Sequence, residues 1–184
     1  PYKTLDDVFE QVEFFVDAVS DYKSDFVLFP EYFNAPLMAK FNHLGEAQSI
    51  RGLAQYTEEI RERFVNLAIS YNINIITGSM PLLKEDGALY NVGYLIRRDG
   101  SYEMYEKVHV TPDEQKSWGL SGGKMVKTFD TDCARIGVLI CYDVEFPELS
   151  RIMADQGMQI LFVPFLTDTQ NGYSRVRVCA QARA

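Results

Sequence analysis

The sequence predicts an α/β fold, and three observations carry the prediction. Stretches with helical periodicity alternate with short apolar, strand-like runs along the 184 residues. Several of those runs are continuously apolar, as strands buried on both faces are. A hydrophobic content of 47% suffices for one sizeable core, so a single domain over residues 1–184 is expected.

Thr4 and Asp7 have the spacing of a capping box, and Leu5, Val8, Val12, Phe15, Val16 and Val19 recur on one face. An amphipathic helix over 5–22 follows, which leaves no room for a strand ahead of it. Phe26 to Phe29 is a short apolar strand that stops at Pro30-Glu31. Residues 32–52 contain Pro36, Gly45 and Gly52 and are expected to be irregular. Ile60, Phe64, Leu67, Ala68 and Tyr71 share one face of a second helix over 53–71. Strands are expected at 73–77, 89–96 and 102–105, the last two joined where Asp99-Gly100 signals a hairpin. A polar loop runs from Thr111 to Gly123. A strand pair at 126–129 and 134–140, a helix at 147–156, a strand at 159–165 and a helix at 173–184 complete the chain.

The formal net charge is −8, and an acidic surface argues against nucleic acid and anionic membrane as partners. Cys133, Cys141 and Cys179 make no CxxC pair and no Cys/His ligand set, which points to a reducing compartment, no metal and no cofactor. No apolar run reaches the length of a membrane span and no secretory leader is visible, so a cytoplasmic location is expected. Gly122-Gly123 is too short to cradle phosphate.

The chain is organised around Gly137 to Glu148. The apolar run 136–140 ends abruptly at Cys141, and Pro147 suits the first turn of a helix. Cys141 therefore stands at a strand-to-helix turn, where a nucleophile is lifted out of a sheet and a helix N-terminus favours a thiolate. A lone cysteine after an apolar run is otherwise just a small buried residue. Glu31 and Lys107 also stand at strand ends. Alone, Glu31 serves equally as a solvent-facing or turn-capping carboxylate. Together, carboxylate, ammonium and thiol are what thiol attack on an amide needs: a base, a cation for the oxyanion and an acid for the leaving amine.

Phe29-Pro30-Glu31, Glu106-Lys107-Val108-His109 and the block from Cys141-Tyr142-Asp143 through Phe146-Pro147-Glu148 to Arg151 resemble, in order, the three signature blocks of the carbon–nitrogen hydrolase (nitrilase) superfamily. The resemblance implies a four-layer α-β-β-α sandwich, paired in a homodimer or larger homo-oligomer, that hydrolyses a small amide or N-carbamoyl compound through a cysteine thioester. It implies Cys141 as nucleophile, Glu31 as general base and then acid, Lys107 as oxyanion stabiliser and the Tyr142 amide as second oxyanion donor. A further family glutamate maps best onto Glu114, with Asp113 a close rival. Tyr142-Asp143 is similar to the amidase-like and carbamoylase-like branches, and the sequence as a whole also resembles a branch in which the hydrolase follows an acetyltransferase domain. Glu145 stands where several ω-amidase-like relatives have arginine, which disfavours a dicarboxylic monoamide and points to an amine-bearing substrate if its side chain reaches the pocket. Asp168 lies in a loop that in relatives borders the pocket. Members usually begin with a strand and continue past residue 184, so the chain resembles a fragment lacking both.

Two rivals stand beside this reading. One is a Cys-His hydrolase pairing Cys141 with His109 or His43, and the other a non-catalytic member acting as a binding or dimerisation module. Glu148 and Arg151 are expected to form a structural ion pair at one helical turn's spacing. Asp143 is a candidate anchor for the turn, and Tyr32 and Trp118 are candidate pocket residues.

Overall fold

The computed structural model describes residues 4–184. Helix α1 (Leu5–Asp21) starts on the expected capping box: Asp7 N–H donates to Thr4 Oγ1 (3.1 Å) and Thr4 N–H to Asp7 Oδ2 (2.9 Å). Whether a strand precedes α1 turns on residues 1–3, which lie outside the described residues.

Strand β1 (Phe26–Leu28) leads into a connection expected to be irregular but in fact partly helical. It holds a 3-10 turn at Ala35–Phe41 and a helix α2 (Glu46–Leu53). Gly52, read as a breaker, lies inside α2 because a Cβ there would come 2.8 Å from the Phe41 ring. A 3-10 turn at Ala54–Tyr56 then precedes α3 (Thr57–Ser70), which begins four residues later than predicted.

Next come β2 (Asn74–Ile76), β3 (Met80–Leu83), β4 (Leu89–Ile96), β5 (Tyr102–Glu106) and β6 (Leu120–Ser121). With β1 they form one sheet, in which β4 is the hub. It is antiparallel to β2, β3 and β5 and parallel to β6. Strands β1 and β2 are parallel, with Val27 opposite Ile75. The β4–β5 hairpin pairs Val92 with Glu106 and Ile96 with Tyr102, which sets Lys107 just past the end of β5. The second sheet is β7 (Thr128–Asp130), β8 (Arg135–Val138) and β9 (Ile160–Phe162), with β8 and β9 parallel. Helix α4 (Pro147–Asp155) and helix α5 (Gln170–Arg183) flank it in sequence.

Strand alternation sorts the side chains into layers. In the first sheet Ile75, Val92, Tyr94 and Ile96 pack with α1 and α3, through Phe9, Val12, Ile60 and Phe64. Their neighbours Ile76, Leu95 and Tyr105 face the other way and meet Phe129, Ile136 and Val138 of the second sheet. The Tyr105 and Phe129 rings touch edge-on across that gap, with centroids 6.3 Å apart. Leu139 packs with Leu149 and Met153 of α4 on the far side. The order helix, sheet, sheet, helix is the predicted sandwich. Gly137 allows α4 its approach, since a Cβ there would lie 2.6 Å from the Met153 sulfur. Glu148 and Arg151 on α4 are both exposed and, contrary to expectation, form no ion pair with each other. Among the described residues no helix is long and apolar enough to cross a membrane.

Candidate active site

Three chain segments end at one place. Past β1, Tyr32 takes a positive φ of 49° and its N–H donates to Ser79 Oγ, turning the chain so that Glu31 is buried at 3% exposure. Past β5, Lys107 is buried at 1% exposure. Past β8, Cys141 takes a φ of +49° and opens a 3-10 turn, Cys141–Glu145. A β-carbon residue in that region is strained, and the strain here presents the thiol at the tip of the sheet.

Lys107 Nζ donates to Glu31 Oε1 (2.8 Å) and to both carboxylate oxygens of Glu114 (2.8 and 2.9 Å). Glu31 also accepts from Asn91 Nδ2 and from the Leu166 N–H, both at 3.0 Å. Glu114 accepts from Tyr32 Oη (2.9 Å) and the Thr111 N–H (2.7 Å). Of the two rival carboxylates in this loop, Glu114 is the one drawn in, whereas Asp113 is exposed. The Cys141 thiol reaches toward the Leu166 carbonyl (3.9 Å) and lies close enough to Glu31 for each to bear on the other's titration.

Burial sets the titration of these groups, and neighbours adjust it. Desolvation raises the Glu31 pKa above its usual value, against the opposing pull of Lys107. Burial works against the Lys107 ammonium, but Glu31 and Glu114 outweigh it and hold its pKa above the lysine norm. The Cys141 thiol is pushed up to about 12 by burial and by the Glu31 charge, with Lys107 only partly offsetting them. This corrects the expectation of a thiolate favoured by a helix N-terminus: α4 begins only at Pro147, and low polarity next to a carboxylate dominates at residue 141.

Asp143 ties two of the segments together. Its buried carboxylate accepts from the Val108 N–H (3.3 Å), the His109 N–H (2.7 Å) and the Ile140 N–H (3.2 Å), so it bridges the backbone beside Lys107 to the backbone beside Cys141. The His109 ring stacks on Phe146 at 3.7 Å, with Nδ1 3.2 Å from Asp143, and His43 is exposed in a distant loop. Among the described residues neither histidine hydrogen-bonds the thiol, so this geometry does not favour a Cys-His pair.

Above Cys141 lies a cavity of about 450 Å³, bounded by residues 111–113, the Cys141–Glu145 turn, residues 166–169 and α5. Tyr142, Glu145 and Asp168 line it, as does Asp113. Glu145 is bound by Arg175 of α5 (Nε to Oε1, 2.6 Å), and Arg183 donates to the Val144 and Glu145 carbonyls (3.2 Å each). Among the described residues no acceptor takes the Tyr142 N–H. Trp118 packs edge-on against Tyr32, whose hydroxyl serves Glu114, so both stand behind the charged cluster.

Sequence reasoning missed Asn91, Leu166 and Arg175. Asn91 carried a usable signal, a fully buried amide inside the otherwise apolar β4. A backbone amide such as that of Leu166 has no signature, and Arg175 had nothing in its surroundings to single it out.

A buried acid and ammonium in contact, with a thiol beside them, gather past the ends of three strands, and comparison with known proteins gives the family. Residues 1–184 match the family described as carbon–nitrogen hydrolase, and the chain belongs to that family. It is 49% identical over 174 residues to a probable hydrolase, YhcX, of Bacillus subtilis, covering 95% of this chain and 34% of that protein. It is 33% identical over 171 residues to the human omega-amidase NIT2, covering 86% of this chain and 57% of that one. The fold matches the crystal structure of a carbon–nitrogen hydrolase from Helicobacter pylori G27 with a TM-score of 0.81, at 20% identity, over 99% of this chain and 64% of the other. The chain thus spans about a third of one relative and a little over half of another.

Proposed function

We propose that the chain hydrolyses a small amide through a thioester on Cys141. Glu31 takes the thiol proton as the sulfur attacks the amide carbon, and the carbonyl electron pair moves onto oxygen. Lys107 and the Tyr142 N–H hold that oxyanion. Collapse of the adduct breaks the carbon–nitrogen bond, Glu31 returns its proton to the leaving amine, and the acyl group stays on sulfur. Water, deprotonated by Glu31, then attacks the thioester and releases the acid and the free thiol. Glu114 fixes Lys107 from the side opposite Glu31. A thiol with a pKa of about 12 fits this sequence, because it needs the adjacent base at the moment of attack.

The observation that carries the reading is the buried 2.8 Å contact of Lys107 with Glu31, next to a thiol that lines the cavity. Kinship with amidases supports an amide as substrate class. The test is intact-protein mass spectrometry after incubation with a panel of short amides. An acyl adduct is expected on Cys141, absent in Cys141→Ala, and the absence of any adduct would contradict the reading.

A further inference from the structure

We propose that the amide taken by this site carries a cationic group, an ammonium or guanidinium, so that the pocket selects by charge. The inference rests on the amidase reading above and concerns only which amides enter. Of the charged cluster, only the Cys141 thiol reaches the cavity; Glu31, Glu114 and Lys107 lie buried behind it, so the charges a substrate meets on entry are those of the lining. Asp113 comes from the loop after Lys107 and Asp168 from the loop after β9, so two different elements place a carboxylate on the same cavity. Both are exposed, and among the described residues neither has a cationic partner.

Among the described residues Arg175 is the one cation in the lining, and Glu145 already engages it through its Nε at 2.6 Å. That pair is neutral as a unit and leaves Asp113 and Asp168 as the uncompensated charges facing a substrate. The Arg175 guanidinium is 58% exposed, so what attraction it keeps for an anion is weakened by water. An anionic substrate would have to settle between these two carboxylates to reach Cys141, whereas a cationic one is attracted by both. The proposal thus runs against the carboxylate-binding alternative, in which the outer nitrogens of Arg175 grip a substrate carboxylate.

The test uses three primary amides of matched length, ending in an ammonium, a methyl or a carboxylate group, so that the charge stays in the pocket in the thioester. Rates of acylation of Cys141 and kcat/KM are read for the chain and for the Asp113→Asn/Asp168→Asn variant. Two partly solvated carboxylates at several ångströms favour a cation by about threefold each, so a preference of about tenfold for the ammonium amide over the methyl amide is expected. It should shrink in about 1 M salt, where the Debye length falls to about 3 Å, and should largely vanish in the variant. Equal rates for all three, or fastest acylation by the carboxylate amide, overturn the substrate class and leave the hydrolase reading standing. No acylation of Cys141 by any of the three, in protein with an intact far-ultraviolet spectrum, overturns both.

Discussion

Replacing Lys107 with methionine tests the charged cluster most directly, because the two side chains have similar length and no cavity confuses the result. Lys107 is buried and satisfies two carboxylates, Glu31 at 2.8 Å and Glu114 at 2.8 and 2.9 Å. Removing one partner of a buried ion pair costs about 3–5 kcal/mol, since the remaining charge is stranded. Here the lower end applies. Glu31 keeps the Asn91 amide and the Leu166 N–H, and Glu114 keeps the Tyr32 hydroxyl and the Thr111 N–H. Lys107→Met is therefore expected to lose about 3 kcal/mol in urea unfolding near neutral pH.

The deficit should depend on pH. Without the ammonium, the burial that already raises the Glu31 pKa acts without the opposing pull of Lys107, so its folded value stands further above the unfolded one. The stability contributed by its protonated form is complete below the unfolded value of about 4.3 and is lost as pH climbs through the folded value. The variant should thus lie nearer the parent protein at pH 5 than at pH 8. A second change, Glu114→Gln, should recover part of the loss at pH 8, on the order of 1 kcal/mol, while amide turnover stays abolished in both variants. A deficit under about 1 kcal/mol that is flat in pH would refute the reasoning, since it is what a solvated surface pair gives.

Three further outcomes are expected. Gly78→Ala should cost about 3 kcal/mol or more, because φ is +67° and the new Cβ would fall 2.0 Å from the Pro30 carbonyl oxygen, a backbone atom beside Glu31; thermal unfolding within a degree or two of the parent protein would contradict this. With Glu31 as base, kcat/KM should fall as pH drops through a value above the usual 4.5, since burial raises its pKa and the base must be ionised; an acid limb below 4.5 would sink the assignment. Asp143→Asn replaces one acceptor oxygen by a donor facing backbone N–H groups, and should cost about 1–3 kcal/mol in unfolding and lower kcat more than it raises KM.

How much of this was legible beforehand depended on whether the signal was local. The α1 capping box, the Asp99-Gly100 hairpin and the α4 start at Pro147 are short-range features, and each was readable. So were the strand-end positions of Glu31 and Cys141, because each follows an apolar run that stops abruptly, and that of Lys107, because the hairpin signal fixes where the mixed strand Tyr102–Glu106 ends. Strand β3 escaped notice because Pro81 sits inside it and only four residues form it. Helix α2 did so because Gly45 and Gly52 read as loop punctuation, while the ring of Phe41 that makes Gly52 necessary arrives from a separate element. The titration of Cys141 was misread for the same reason. The helix beyond it is visible in the sequence, but the burial and the carboxylate that outweigh it come from a residue 110 positions earlier.

The proposed chemistry makes demands on the scaffold that these long-range contacts meet. A nucleophile that rests as a thiol must keep its base at contact distance, or attack never begins. Glu31 is the base on this reading, and it is held by groups from three other segments: Lys107 after β5, Asn91 in β4 and the Leu166 N–H after β9. Asp143 in turn pins the turn that carries the sulfur to the backbone that carries Lys107. Apart from Lys107 itself, the neighbours that fix the sulfur, the carboxylate and the ammonium do no chemistry on this reading. Replacing those neighbours should degrade turnover in graded steps, whereas replacing Cys141, Glu31 or Lys107 should remove it in one.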